Sequence, residues 1–250
     1  MENFIPFQKL FKVKDCDSTQ VLVKSYLALN SFPSILVQAD FQTGGKGQSD
    51  NRWESEAYLN LLFSYNLQFV DYKIINQFYI SSVVSLSLVK LFKTYMPQQS
   101  IRIKWPNDIY VGDHKIAGIL IEHTSSADRI MQTIVGIGIN VNQTIFSTQL
   151  LNPLSMKMIT SIQYSIEELL LEFMTIFKDY FQKLQPQYFD TIRSEYLQYL
   201  YRHNQIAPYL IDGQRHMARI NGIDEFGFLI LDIEGVNRTF DIKELVYLSS

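Results

Sequence analysis

The residues able to do chemistry gather in a few short stretches, and the densest is Gln42-Thr43-Gly44-Gly45-Lys46-Gly47-Gln48-Ser49-Asp50-Asn51-Arg52-Trp53. Three glycines within four positions leave backbone N–H groups unshielded and permit positive φ, so such a segment can wrap an anion with main-chain donors. Lys46 and Arg52 add positive charge, and Trp53 offers a flat face for a base. Those are the parts needed to hold a nucleotide. A plain glycine-rich surface turn is the competing reading, because glycine clusters mark loops in general. Neither Walker A spacing nor Gly-x-Gly-x-x-Gly is present, which removes the simplest P-loop and Rossmann readings and implies a different grip on phosphate.

A second set lies in Trp105-Pro106-Asn107-Asp108 and Lys115-Ile116-Ala117-Gly118. Lys115 either points to solvent or reaches a ligand carboxylate or phosphate as a fixed cation. Asp108, across a turn, is either its ion-pair partner or a base or metal-shell ligand beside a phosphate site. Ser18 and Thr19 either cap a helix or offer hydroxyls to a polar ligand. The histidines at 114, 123, 203 and 216 match no metal spacing such as His-Glu-x-x-His, so no zinc site is assigned. Gly-x-Ser-x-Gly is missing, against a serine hydrolase. The single cysteine, Cys16, is expected to be a small packed residue in a reducing compartment rather than a nucleophile.

The elements that must position these groups follow from pattern. Leu10 to Lys14 predicts a short strand, Asp17-Ser18-Thr19 caps a helix to about Leu29, and Ser34 to Ala39 is a strand delivering the chain into the glycine loop; Asn60 to Leu67 is extended again. Helical spacing predicts one long helix from Lys73 to Tyr95, closed by Pro97. Ile101 to Lys104 is a strand that Pro106 ends. Ile109 to Val111 and Lys115 to His123 form a hairpin about Gly112-Asp113-His114. Arg129 to Val141 is an apolar strand in which Gly136 and Gly138 let something approach the backbone. Residues 142–154 form a polar loop of a length that tends to cover a site. Ser165 with Glu168 makes a capping box for a helix through about Lys183, and Pro186 precedes another from Asp190 to Tyr201. Near residue 204 the texture changes to short β runs, Ile206 to Ile211, His216 to Asn221, Phe228 to Ile233 and Arg238 to Ile242, which predict a small β-barrel-like domain of roughly 45 residues.

With 250 residues, 47% of them apolar, there is room for one large domain and a small appendage. A net charge of −3 argues against broad nonspecific nucleic-acid binding. The Met-Glu-Asn start lacks a basic region followed by an apolar run, and no segment is expected to reach the apolar length of a membrane helix, so the protein reads as cytoplasmic without a membrane partner. Low-complexity tracts and repeats are absent, against a solenoid or a disordered scaffold.

Taken in order, Asp17-Ser18-Thr19, Gln42 to Gln48, Arg52-Trp53, Lys104-Trp105-Pro106-Asn107-Asp108, Lys115-Ile116-Ala117-Gly118-Ile119-Leu120 and Gly136-Ile137-Gly138-Ile139-Asn140 resemble the biotin protein ligases. The Lys-Trp-Pro-Asn-Asp block, with a lysine seven residues beyond its last aspartate and then Ala-Gly-Ile, is the specific part of the match. The resemblance implies an α+β fold: a class II aminoacyl-tRNA synthetase-like biotin ligase catalytic domain (1–203), a mixed sheet flanked by helices, then a small SH3-like β-barrel domain (204–250). It implies that biotin and MgATP give biotinyl-5′-AMP and pyrophosphate, with biotin then passed to one lysine of a biotin carboxyl carrier domain, as of acetyl-CoA carboxylase.

By that resemblance Lys115 and Asp108 are catalytic. The first lies by the biotin carboxyl and α-phosphate; the second helps deprotonate the incoming lysine. Ser18, Thr19, Gln20, Gln42, Gly45, Lys46, Gly47, Gln48, Lys115 and Gly118 are the implied biotin site, with Ser18, Thr19 and Gln42 on the ureido ring. Lys46, Gly47, Gln48, Asn51, Arg52, Trp53, Asn107, Lys115 and Asn140 are the implied ATP site. The family's loop is usually Gly-Arg-Gly-Arg-x-Gly-Arg; here lysine replaces the first arginine, and glutamine and asparagine replace two more, so a faster release of biotinyl-AMP is expected. Gln20 stands where the family often has asparagine. There is no room before residue 10 for a DNA-binding domain, so ligase activity without DNA binding is expected; exposed sheet edges allow a homodimer without requiring one. A lipoate or octanoate ligase or transferase of the same fold, and a non-catalytic biotin or nucleotide sensor, are the alternatives.

Overall fold

A computed structural model describes residues 7–29, 32–48 and 51–249. The Met-Glu-Asn start and, inside the glycine loop, Ser49 and Asp50 lie outside the described residues. In chain order the elements are β1 (Lys9–Cys16), α1 (Thr19–Leu29), β2 (Ile35–Gln42), β3 (Leu61–Lys73), α2 (Gln77–Tyr95), β4 (Ile101–Lys104), β5 (Asp108–Val111), β6 (His114–Ser126), β7 (Arg129–Ile139), α3 (Met156–Thr160), α4 (Ile166–Phe181), α5 (Phe189–Tyr199), β8 (Ile206–Ile211), β9 (Gln214–Ile223), β10 (Leu229–Ile233), β11 (Val236–Phe240) and β12 (Leu245–Tyr247).

β1 to β7 form one mixed sheet in the order β1-β2-β3-β7-β6-β5-β4, with β1 and β2 parallel and the other pairs antiparallel. The last five strands form a second, antiparallel sheet in the order β11-β10-β9-β8-β12. Alternation along a strand assigns each face of the large sheet to its own core. Ile35 and Val37 of β2 and Ile134 of β7 pack with Val23 of α1, while Leu36 points into the larger core on the other side. There Phe63 and Tyr65 of β3 meet Phe173 and Phe177 of α4 edge-on, with ring centroids 5.4 and 5.2 Å apart, and Phe78 of α2 meets Tyr196 of α5 at 5.2 Å. Such T-shaped contacts place the positive ring edge against the negative face.

Four features depart from the sequence-based expectations. β3 runs to Lys73 rather than Leu67, because its pairing with β7 resumes after a register shift between Gln68 and Tyr72. That bulge breaks the alternation by which a strand is read. The long helix begins at Gln77, after a 3-10 turn over Ile74–Asn76. Contrary to expectation, Ile74–Tyr95 is long and apolar enough to cross a membrane; 67% of its most apolar stretch is buried in the fold, which identifies a core helix. Two short elements were not anticipated: α3, capped by Ser155 Oγ accepting from Met158 N at 3.2 Å, and β12, three residues paired with β8. At the start of α4, Ser165 Oγ accepts from Glu168 N at 3.3 Å, with Glu167 and Glu168 in the first turn where the helix dipole favours negative charge.

Candidate active site

The site begins with missing side chains. Gly118 of β6 lies opposite Gly138 of β7, and Leu120 lies opposite Gly136. All three glycines face the side of the sheet that carries α1, so a strip of bare backbone floors a cleft of about 450 Å³. A Cβ on Gly136 would crowd Gln20 at 3.1 Å, and one on Gly118 or Gly138 would strike the Trp53 ring. Sterics therefore demand glycine at 118 and 138 while the indole lies there, and at 136 the Gln20 side chain would have to give way by a few tenths of an ångström.

One wall is the first turn of α1 with the facing parts of β2 and β3. Thr19 donates to Gln42 Oε1 twice, from its backbone N–H at 2.7 Å and from its hydroxyl at 3.0 Å, and the same hydroxyl oxygen lies 2.7 Å from Ser64 Oγ. A hydroxyl has one proton to give, so Thr19 donating to Gln42 leaves Ser64 to donate to Thr19. The threonine hydroxyl thus serves this network and not the helix cap. Ser18, Thr19 and Gln20 are all buried, and Gln20 Nε2 donates to the Leu120 carbonyl at 3.0 Å.

The opposite wall is the hairpin of β5 and β6. Lys115 Nζ lies 2.7 Å from Asp108 Oδ1 and 5.7 Å from the Trp53 ring centroid. Register sets Lys104 of β4 opposite Asp108, and Tyr110 opposite Lys115. Lys104 Nζ donates to the Tyr110 hydroxyl at 3.1 Å and lies over the rings of Tyr110 and Tyr247, 4.8 and 5.0 Å from their centroids. Burial lowers the pKa of Lys104 and raises that of Tyr110, the latter pushed further by the Asp108 charge. The C-terminal sheet thereby reaches the site through Tyr247. Asn107 is tied to Ile119 in both directions, its side-chain amide donating to the Ile119 carbonyl and its own carbonyl accepting from Ile119 N at 2.9 Å.

The glycine loop closes as a narrow hairpin. Thr43 N donates to the Cys16 carbonyl and Gly44 N to the Asp17 carbonyl, both at 2.9 Å, and Lys46 pairs with Arg52. Gly47 N donates to the Asn51 carbonyl at 2.8 Å and Trp53 N to the Gly45 carbonyl at 2.9 Å. Of the main-chain donors expected to face an anion, those of Gly44 and Gly47 are therefore spent within the loop in this conformation. Gly45 packs beneath the Trp53 carbonyl and does not line the cleft, whereas Lys46, Gly47, Gln48, Asn51, Arg52 and Trp53 do. Trp53 lies flat on the glycine floor, and its indole N–H is buried without a partner. Cys16, at the loop's root, has its thiol pushed up to about 11 by burial, with Asp17 and Asp15 adding to the effect, so it stays protonated at neutral pH.

Asn140 lines the cleft while its side chain donates to the Leu154 carbonyl at 3.1 Å. The loop over residues 142–154 returns across the site: Lys115 N donates to the Asn152 carbonyl and Leu154 N to the Lys115 carbonyl, both at 2.9 Å. The structure thus gathers Ser18, Thr19, Gln20, Gln42, Asn107, Asp108, Lys115, Gly118 and Asn140 in one cleft, with Gly45 set behind it. It adds Ser64, Tyr110, Leu150, Leu151 and Pro153, which sequence reasoning did not single out. Two of these carried a signal. Ser64 is a polar residue within an apolar strand, and Tyr110 sits two residues from Asp108, hence on the same face. Among the described residues no group of three or more His, Cys, Asp or Glu gathers that could hold a metal ion.

The sequence model of the Biotin/lipoate A/B protein ligase family matches residues 13–140. Biotin–protein ligase 2 of Arabidopsis thaliana is 29% identical over 203 residues, covering 79% of this chain and 58% of that protein. The biotin–protein ligase of Schizosaccharomyces pombe is 30% identical over 247 residues, covering 88% of this chain and 38% of that protein. The chain thus spans little more than half, or less, of these curated relatives. Among solved structures, the biotin protein ligase of Aquifex aeolicus in complex with biotin and ATP is similar with a TM-score of 0.80 and 25% identity, over 98% of this chain and 100% of that one.

Proposed function

Because the chain belongs to the biotin/lipoate A/B protein ligase family, we propose that it is a biotin protein ligase, joining biotin to ATP as biotinyl-5′-AMP and then to a lysine of a biotin carboxyl carrier domain. The observation that carries this reading is the Thr19–Gln42–Ser64 network in one wall of a cleft whose other wall holds Lys115 and Asp108. A wall of polar side chains favours a ligand that can hydrogen-bond to it over one that can only cover it. The ureido ring of biotin is such a group, and an acyl chain or dithiolane is not. That favours biotin over lipoate or octanoate.

In the first step a carboxylate oxygen of biotin attacks the α-phosphorus of ATP and pyrophosphate leaves. Two anions must meet, and a fixed cation offsets their repulsion and steadies the charge of the transition state. Lys115 is that cation. Asp108 holds its ammonium in place beforehand at 2.7 Å, and the substrate carboxylate takes over as partner. Asp108, released, becomes the group that accepts a proton from the incoming lysine. Lys46 and Arg52 hold the phosphates; Trp53 and Asn140 face the adenine; Ser18, Gln20, Gln48 and Gly118 complete the biotin contacts, with Gly47, Asn51 and Asn107 beside the nucleotide. Magnesium enters as part of the MgATP substrate, in keeping with a cation that keeps several waters and binds through substrate phosphates. The supporting architecture is read as a synthetase-like catalytic domain over residues 1–203 and an SH3-like barrel from 204, working in the cytoplasm, where ATP is at hand.

The test is ATP–pyrophosphate exchange with biotin, lipoate or octanoate. Exchange with biotin alone is expected, with kcat/KM falling about 10²- to 10³-fold in Lys115→Ala. Tight biotin binding with no exchange for any acid would overturn the enzyme reading in favour of a sensor.

A further inference from the structure

A second hollow of about 260 Å³ opens beside the cleft and shares Gln48, Asn107, Ile119 and Leu120 with it. Its walls are largely apolar. Phe78 of α2 and Ile121 of β6 lie on one side, and Phe226, Phe228 and Ile242 from turns of the C-terminal sheet lie on the other. Phe226 is 44% exposed, Phe228 37% and Ile242 38%, so three apolar side chains meet solvent at one place.

The turn that presents them is firmly held. Asp224 Oδ1 accepts from the backbone N–H of both Phe226 and Phe228 at 2.9 Å, and Asp224 N donates to the Phe228 carbonyl at 3.0 Å. Gly227 takes φ +96°, a conformation that favours glycine, and a Cβ there would press on Phe78 at 2.9 Å. Its carbonyl accepts from Trp105 Nε1 at 2.9 Å. A fixed turn therefore points two large rings outward that the fold does not bury.

We propose that this groove receives the stretch of the acceptor protein beside its reactive lysine, seating an apolar residue of that stretch between Phe226, Phe228 and Ile121. The proposal rests on the ligase reading above. Three observations choose this occupant over others. The groove and the cleft share a wall at Asn107, next to Asp108, so a segment lying in the groove delivers its neighbouring lysine on the Asp108 side. Trp105, bonded to the Gly227 turn, belongs to the same short turn as Asn107, and Asp108 opens the strand that follows, so the docking turn and the carboxylate are held in one frame. Asp241 on the rim and Glu225 in the turn favour a segment carrying positive charge, as a lysine-bearing one does.

The lysine ammonium gives one proton to Asp108, and its nitrogen attacks the acyl carbon of biotinyl-AMP. The C–N bond forms, the bond from that carbon to the phosphate oxygen breaks, AMP leaves with the electron pair, and the second proton passes to solvent.

The experiment compares wild type with the double variant Phe226→Ser/Phe228→Ser in three assays: biotin-dependent ATP–pyrophosphate exchange, transfer from biotinyl-AMP to hydroxylamine, and transfer to a biotin carboxyl carrier domain. Expected are wild-type exchange and hydroxamate formation, with kcat/KM for the carrier domain reduced about tenfold through KM, as for loss of a central apolar contact. Unchanged transfer to the carrier would overturn the groove, and so would an equal loss in all three assays. A variant that changes association state in sedimentation would also overturn it, since a second copy would then cover the groove. Failure of exchange in the wild type would instead sink the ligase reading, and this proposal with it.

Discussion

Lys115 and Asp108 show how far single residues carry. Their types and the short turn between them left ion pair and catalysis both open, with the ion pair favoured; the 2.7 Å contact shows that ion pair and sets it inside a cleft, where the catalytic role proposed above would use it. Trp53 was legible as a flat face but not in its place, because its position depends on Gly118 and Gly138, which lie in two strands distant in sequence. His123 gives a prediction at this scale. Its Nδ1 lies 2.8 Å from Thr133 Oγ1, and burial lowers its pKa below the ordinary 6.5. The folded protein then keeps the ring neutral where the unfolded chain binds a proton, so stability is full above pH 6.5 and falls as the pH drops toward the lowered value. His123→Gln, which keeps a partner for Thr133, is expected to flatten that acid slope in urea titrations between roughly pH 5 and 7. An unchanged slope would place the pH sensitivity elsewhere.

Elements were legible where one period ran uninterrupted. α1, β4, β8 and the glycine-bearing strand β7 follow from alternation, helical spacing and breakers, whereas β3 was cut short at its bulge and β12 is too short to show a period. The loop over 142–154 was expected to cover a site, and Leu150, Leu151 and Pro153 line it. α4 tests the capping argument. Ser165 Oγ satisfies one free N–H at its start, so Ser165→Ala should destabilise the protein by about 1 kcal/mol, read as a lower urea midpoint with an unchanged slope. Because α4 covers Phe63 and Tyr65 through Phe173 and Phe177, and lies away from the cleft, biotin binding should not change.

At the scale of the molecule, the change of texture near residue 204 announced a second sheet, but nothing in the sequence told that this sheet would lean on the site. It does so twice, through Tyr247 over Lys104 and through Gly227 bonded to Trp105. Both contacts join residues more than a hundred positions apart, a separation no local pattern encodes. The chain has two tryptophans, and the fold assigns one to each hollow: Trp53 on the glycine floor, Trp105 under the Gly227 turn. The unlabelled protein is thereby an optical instrument with two separately addressed emitters. A ligand filling the cleft would change the surroundings of an indole that lies on bare backbone beside an ammonium and should alter emission intensity, and Trp53→Phe should abolish that response while Trp105→Phe preserves it. A carrier domain arriving in the groove would be seen by the other lamp.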